Sequence, residues 1–177
     1  MIKRSAFYKQ YKISGAEPID VVKHRVPIST FTNTVIEFLD TEFTGLIDVE
    51  CKPIWDINSC IRICEDYTAY FFKNLLAAFY GRESISIEMA LSDDIFTIQI
   101  KSKEDFKIPL GEMNELLRIA TSSGFSYELA DSTLTLYSSV LRIKQTSVRS
   151  ISFNRLRARF TEIFFTGGPA PDFRGWD

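Results

Sequence analysis

Residues 64–79, CEDYTAYFFKNLLAAF, and 84–103, SISIEMALSDDIFTIQIKSK, stand four residues apart and carry two different apolar periods. Ile61, Cys64, Thr68, Phe71, Leu75 and Phe79 recur every three or four positions, and the spacing predicts a long amphipathic helix, capped by Asp56 or Asn58 and stopped by Gly81. In the second stretch Ile85, Ile87, Met89 and Leu91 alternate with their neighbours, as do Phe96, Ile98 and Ile100, and Ser92-Asp93-Asp94 turns between the two runs. A period of two on both sides of a turn predicts a β-hairpin. A long helix feeding a hairpin places the chain in the α+β class.

Working outward, Phe31, Val35, Phe38, Leu39 and Phe43 recur at helical spacing behind Ser29 and Thr30, which suit an N-cap, while Gly45 suits the far end. Ile47, Val49 and Cys51 alternate with Asp48, Glu50 and Lys52, a half-buried strand closed by Pro53. Beyond the hairpin, the polar stretch Lys101 to Lys107 precedes a helix expected over about 111–122, with Leu116, Leu117 and Ala120 inward and Gly124 as its stop. Phe125, Tyr127 and Leu129 form an expected strand, Ala130-Asp131-Ser132 a turn, and Leu134 and Leu136 the partner strand. Residues 138–165 read as a β extension and 166–177 as a Gly/Pro-rich tail with Phe173 and Trp176 as anchors. Residues 1–28, broken by Gly15, Pro18 and Pro27, read as an N-terminal arm, which leaves 29–165 as one domain.

At 177 residues the chain can bury a core without metal or disulfide support. Its 45% hydrophobic and 25% charged residues are globular proportions, and 15 Phe promise an aromatic core. A net charge of −2 gives no global field toward nucleic acid or anionic lipid. Cys51, Cys60 and Cys64 are too few and too clustered for a secreted disulfide framework and read as reduced, largely buried thiols. No apolar run approaches the roughly 20 residues of a membrane span, so the expected location is cytoplasmic, with no membrane partner.

The order helix, strand, long helix, hairpin, loop, helix, hairpin resembles the ATP-binding domain of histidine kinases and the related GHKL ATPases. VPISTFTNTVIEFLDTEFTGLIDVECKPI (26–54) is similar to the family's opening helix and strand, and 64–79 to the helix carrying its asparagine box. The hairpin at 84–103 and GFSYELADSTLTLYS (124–138) resemble the two hairpins that follow. The resemblance covers about residues 26–137. It implies a two-layer α/β sandwich with a mixed, mostly antiparallel sheet and helices on one face, here with extra C-terminal β strands over 138–165.

The resemblance also implies where Mg·ATP would sit. Two polar side chains four apart on the long helix share a face and support nucleotide and cation; Asn74 matches the first, and the second position is Ala78, whose methyl cannot ligate a cation that takes oxygen donors. The following box, Asp-x-Gly-x-Gly, falls on 100–109, where Ser102 stands near the aspartate position and no glycine follows before Gly111. In place of a glycine-rich lid the loop holds Lys101, Lys103 and Lys107, point charges for an anion. Asn74, Lys101, Ser102, Lys103 and Lys107 are therefore the candidate nucleotide or anion pocket. His24, the sole histidine, matches the phosphoacceptor motif poorly and reads as a surface or structural residue.

These changes imply a degenerate family member: a non-catalytic or weakly nucleotide-binding regulatory or protein-interaction module in bacterial signalling, with a protein partner or self-association and no cofactor expected. The alternative is an ATP-binding anti-sigma-type protein kinase or ATPase with an atypical site. A second alternative rests on Arg155, Arg157 and Arg159, which on a strand share one face and would grip nucleic acid or an acidic partner. No catalytic set and no metal-ligand set emerges: Glu65-Asp66, Asp93-Asp94 and Glu104-Asp105 are adjacent carboxylates that point to different sides.

Overall fold

The computed structural model describes residues 23–42, 47–51, 58–79, 85–142 and 153–165. Its elements run β1 (His24–Pro27), α1 (Ile28–Glu42), β2 (Ile47–Cys51), β3 (Ser59–Ile63), α2 (Glu65–Phe79), β4 (Ile85–Ser92), β5 (Ile95–Ser102), α3 (Leu110–Ser123), β6 (Ser126–Leu129), β7 (Thr133–Ser139), β8 (Leu141–Arg142) and α4 (Phe153–Phe165).

Five strands form a mixed sheet in the order β2-β4-β5-β7-β6, in which β2 and β4 are parallel and the other pairs antiparallel. The expected α+β sandwich stands. Registers Met89↔Ile98↔Leu136 and Ile87↔Ile100↔Leu134 bring six apolar side chains onto one face, each essentially free of solvent contact. Glu88, Gln99 and Thr135 lie in the intervening row, so the pleat separates an apolar face from a polar one. The helices cover the apolar face. Phe31 of α1 is the hub: its ring meets Phe96 of β5 edge-on at 5.7 Å, Phe72 of α2 at 6.5 Å and Phe125 at 6.2 Å. The aromatic content thus goes to the core, where offset and edge-to-face pairs are favoured.

The long helix begins later than its apolar stripe suggests. Residues 59–63 form a strand that pairs with β1 (Val26↔Ile61, Pro27↔Cys60) and with β8 (Cys60↔Leu141) in a second, three-stranded sheet. Cys60, Ile61 and Ile63 are buried while Arg62 is exposed, and α2 starts at Glu65-Asp66, acids that suit a helix N-terminus. Cys64 stands at the junction, accepting from the Thr68 N–H at 3.0 Å and donating its own N–H to Ser123 O at 2.8 Å. The arm expected over 1–28 also gives up its last residues, since 24–27 are β1. Pro27, which donates no ladder bond, sits on that sheet's edge.

A second correction concerns the C-terminal part. Among the described residues after β7, Leu141–Arg142 is strand and 153–165 is a helix. Leu156, Phe160 and Ile163 are the buried ones among its described side chains, spaced four and three, and Phe160 meets Phe38 of α1 at 5.7 Å. Arg155, Arg157 and Arg159 therefore do not share a strand face. At the start of α1, Ser29 and Thr30 lie inside the first turn. Thr32 and Thr34 bond back to Ile28 O at 2.9 Å and Thr30 O at 2.8 Å, which satisfies β-branched hydroxyls within a helix. The expected caps at Gly45, Asp56 and Gly81, the strand end at Pro53, and the tail anchors Phe173 and Trp176 lie outside the described residues.

Candidate functional site

Asn74 stands in the third turn of α2, turned into the protein and 3% exposed. Its Nδ2 donates to Tyr70 O at 2.8 Å, one turn back on the same helix. Ala78, four residues on, is 1% exposed. α2 packs against α3, whose Met113, Leu116, Leu117, Ile119 and Ala120 are all buried. The helix position that resembles the asparagine box thus presents one buried amide, its Nδ2 bonded within the helix, and one buried methyl.

The other candidate residues cluster at the end of β5 and in the loop that follows. Lys101 is paired across the sheet with Glu88 at 3.1 Å, and Ser102 donates its N–H to Ser132 O at 2.9 Å. Lys103 is exposed in the loop, and Lys107 holds Glu104 at 2.6 Å. The loop is pinned to the β6–β7 turn by the Phe106 N–H, which donates to Asp131 O at 2.8 Å. Phe106 and Ile108 pack half-buried against the hydrophobic core. Sequence proximity gathers the three lysines and Ser102 on one segment, while Asn74 belongs to α2, where its Nδ2 is bonded.

Arg155, Arg157 and Arg159 each meet an acid. Arg155 Nη2 lies 3.5 Å from Glu65 Oε1, Arg157 Nη2 2.7 Å from Glu37 Oε1, and Arg159 grips both oxygens of Asp66 at 2.9 and 2.5 Å. Arg159 also reaches Glu162 at 3.0 Å. The basic face read from the sequence is in this fold the charged flank of α4, set against α1 and α2.

These pairs belong to a cluster that the sequence reading did not assemble. His24 Nδ1 of β1 stands 3.1 Å from Glu65 Oε1, and Lys73 Nζ donates to Ile163 O at 2.8 Å, a cation on the last turn of α4. Glu65 is 6% exposed, and its Oε2 finds no hydrogen-bond partner among the described residues. Burial pushes its carboxyl above the ordinary value, an effect opposed by the charges of Arg155 and His24. Burial, then the Asp66 charge, raises the Tyr70 phenol to about 12, and burial lowers Lys73. The available signal was helical spacing of Leu156, Phe160 and Ile163, together with the acids opening α2. His24 is thus a structural histidine. Cys60 is buried and Cys64 half-buried, neither in a disulfide; burial raises the Cys64 thiol.

No family model matches the chain, and no curated protein does. Solved structures do. The histidine kinase AdeS of Acinetobacter baumannii is similar at a TM-score of 0.50 and 9% identity, over 75% of this chain and 74% of that one. The cytoplasmic segment of histidine kinase QseC aligns at 0.48 and 16% identity, over 79% of this chain and 93% of that one. The histidine kinase domain of the E. coli osmosensor EnvZ aligns at 0.42 and 11% identity, over 77% and 98%. Among the described residues no helix is long and apolar enough to cross a membrane. Element order, sheet topology and the likeness to AdeS agree on one conclusion: the chain has a histidine-kinase-like fold.

Proposed function

We propose that this chain is a degenerate histidine-kinase-ATPase-like domain that works in bacterial signalling as a regulatory, protein-interaction module and not as a catalyst. One observation carries the reading: Asn74 is buried and bonded to its own helix, and the position four residues on is the buried methyl of Ala78. A hard divalent cation needs oxygen ligands that can reach it; Ala78 offers none, and Asn74 is 3% exposed with its Nδ2 bonded to its own helix. The loop after β5 supports the same reading. Instead of a glycine run free to approach phosphates, it places Phe106 and Ile108 against the core and ties Lys107 to Glu104. In this reading the fold is retained for its surfaces, with a protein partner or self-association in the cytoplasm.

The test is thermal unfolding of the whole chain with ATP, ADP or a non-hydrolysable analogue, each with and without Mg²⁺. Ligand at a hundred times its dissociation constant adds about 2.7 kcal/mol, roughly 5–11 °C for a domain of this size. The expected outcome is an unchanged midpoint. A Mg²⁺-dependent rise of that order would overturn the proposal in favour of an ATP-binding kinase or ATPase with an atypical site.

A further inference from the structure

Among the described residues nothing covers the last strand of the five-stranded sheet. β6 forms its edge, and Ser126, Tyr127, Glu128 and Leu129 are all exposed. Tyr127 stands opposite Leu136 and Leu129 opposite Leu134, so both point to the helix-covered face. Leu134 and Leu136 are sealed from solvent, yet Tyr127 and Leu129 are 46% and 42% exposed. The apolar layer runs out past the helices at this edge.

The backbone is open in the same place. The Ala130 N–H donates to Thr133 O at 2.8 Å, which makes those two a hydrogen-bonded pair. Such pairs alternate along an antiparallel ladder. Glu128 and Ser126 therefore bond to β7, while Leu129 and Tyr127 turn N–H and C=O to the outer edge. Edges are ordinarily guarded by lysine, proline or a bulge. Residues 126–129 hold no lysine or proline, and their pairing with β7 keeps one unbroken register. The edge strand at the other end of the sheet, β2, carries Asp48 and Glu50.

We infer that β6 is a self-association site, pairing antiparallel with β6 of a second copy of this chain about a twofold axis through Tyr127. The charge and bonding of the strand select that axis. Open residues must meet open residues, which allows axes at Ser126, Tyr127, Glu128 or Leu129. At Glu128 two carboxylates would stand directly opposite, which is destabilising. At Ser126, Tyr127 would meet Phe125, whose N–H is already given to Ala120 O; at Leu129 it would meet Asp131, whose carbonyl already accepts from the Phe106 N–H. At Tyr127 the two tyrosines exchange both backbone bonds and set their rings side by side on the apolar face. On the polar face, Ser126 of each copy stands opposite Glu128 of the other, a hydroxyl donor against a carboxylate that the Tyr137 hydroxyl already holds at 3.0 Å. The edge is thus complementary to itself, as a twofold interface requires. This inference rests on the interaction-module reading and names a second copy as the partner.

Sedimentation equilibrium of the whole chain tests it, over roughly 10 μM to 1 mM because so short an interface belongs with transient ones. The expected result is a reversible monomer–dimer equilibrium that stops at the dimer, since each copy brings one β6 edge. Ser126 is exposed, so its substitution spares the fold. Ser126→Lys, set against Glu128 of the other copy, should tighten the dimer about threefold or more, and Ser126→Glu should weaken it about as much. Tyr127→Pro removes an N–H that β7 does not use and should abolish the dimer while the far-ultraviolet dichroism is kept. If Tyr127→Pro does not fold, the two Ser126 variants decide. A chain that stays monomeric, association that continues past the dimer, or a dimer indifferent to both Ser126 substitutions overturns the pairing. Those outcomes count against the β6 site alone, whereas a Mg·ATP-dependent stabilisation counts against the interaction-module reading alone.

Discussion

At the scale of single residues, Glu65 sets burial of a carboxylate against the charges that face it. Its carboxylate is buried, one oxygen faces His24 and Arg155, and the other has no hydrogen-bond partner among the described residues. Desolvation dominates and lifts the carboxyl above its ordinary value; Arg155 and then His24 pull the other way. Linkage fixes the sign. The folded chain holds this proton more tightly than the unfolded chain, so protonation favours folding, and the contribution is fully present below the ordinary carboxylate value. It declines as pH rises through the raised value and is flat beyond. Glu65→Gln does not titrate. In urea melts from acid to neutral pH, the variant should gain stability relative to the parent as pH rises, then keep a constant difference. Two curves that stay parallel throughout that range would refute the burial argument.

At the scale of elements, the junctions decide what the sequence could reveal. Gly124 ends α3 with φ 116° and ψ 10°, and its N–H reaches Ala120 O and Thr121 O. The Phe125 N–H also returns to Ala120 O at 3.0 Å, as in a left-handed helix cap. A methyl at Gly124 would lie 2.6 Å from the Arg62 carbonyl of β3, so conformation and space both require glycine. Gly124→Ala should lower unfolding stability by about 1–3 kcal/mol, measured by urea denaturation; a neutral effect would mean that α3 and β3 are not locked here. This stop was legible because glycine after a helical period is a local signal. The central hairpin was legible too, since Ile85 to Ile100 alternate without a break around Asp93-Asp94, and Asp93 takes φ 53°, a conformation that aspartate tolerates. The errors came where two periods overlap. Ile61 and Cys64 continue the stripe of α2 into what is strand, and Arg155 to Phe160 alternate in charge like a strand although Ile163 completes a helical triplet. The Asn74–Ala78 pair could be placed by counting along one helix. The pairing of Arg155 and Arg159 with Glu65 and Asp66 spans 90 and 93 residues, and no local pattern reports it.

At the scale of the whole molecule, the question is whether two sheets make one folding unit. β1 and β3 pair apart from the five-stranded sheet, yet Val26, Ile61 and Ile63 belong to the same buried cluster as Ile87, Ile98 and Leu136. α1 follows β1 without a break and sends Phe31 onto β5, while the Cys64–Ser123 bond fastens the β3–α2 junction to the end of α3. Removing the small sheet would therefore uncover the apolar side of the large one, and neither is expected to persist alone. The chain should unfold in a single cooperative step, with far-ultraviolet dichroism, which follows the strands and helices, and near-ultraviolet dichroism, which follows the Phe31 cluster, coinciding across a urea titration. α4 is the exception that this architecture permits. Among the described side chains it is joined to the rest through Leu156, Phe160, Ile163 and a charged rim, so its amides should exchange through a local opening that urea scarcely affects, while α3 exchanges only with the global transition. Separated spectroscopic midpoints would show instead that β1, β3 and β8 melt as a unit of their own, and the shared core drawn from Val26 to Leu136 would not be what holds the molecule together.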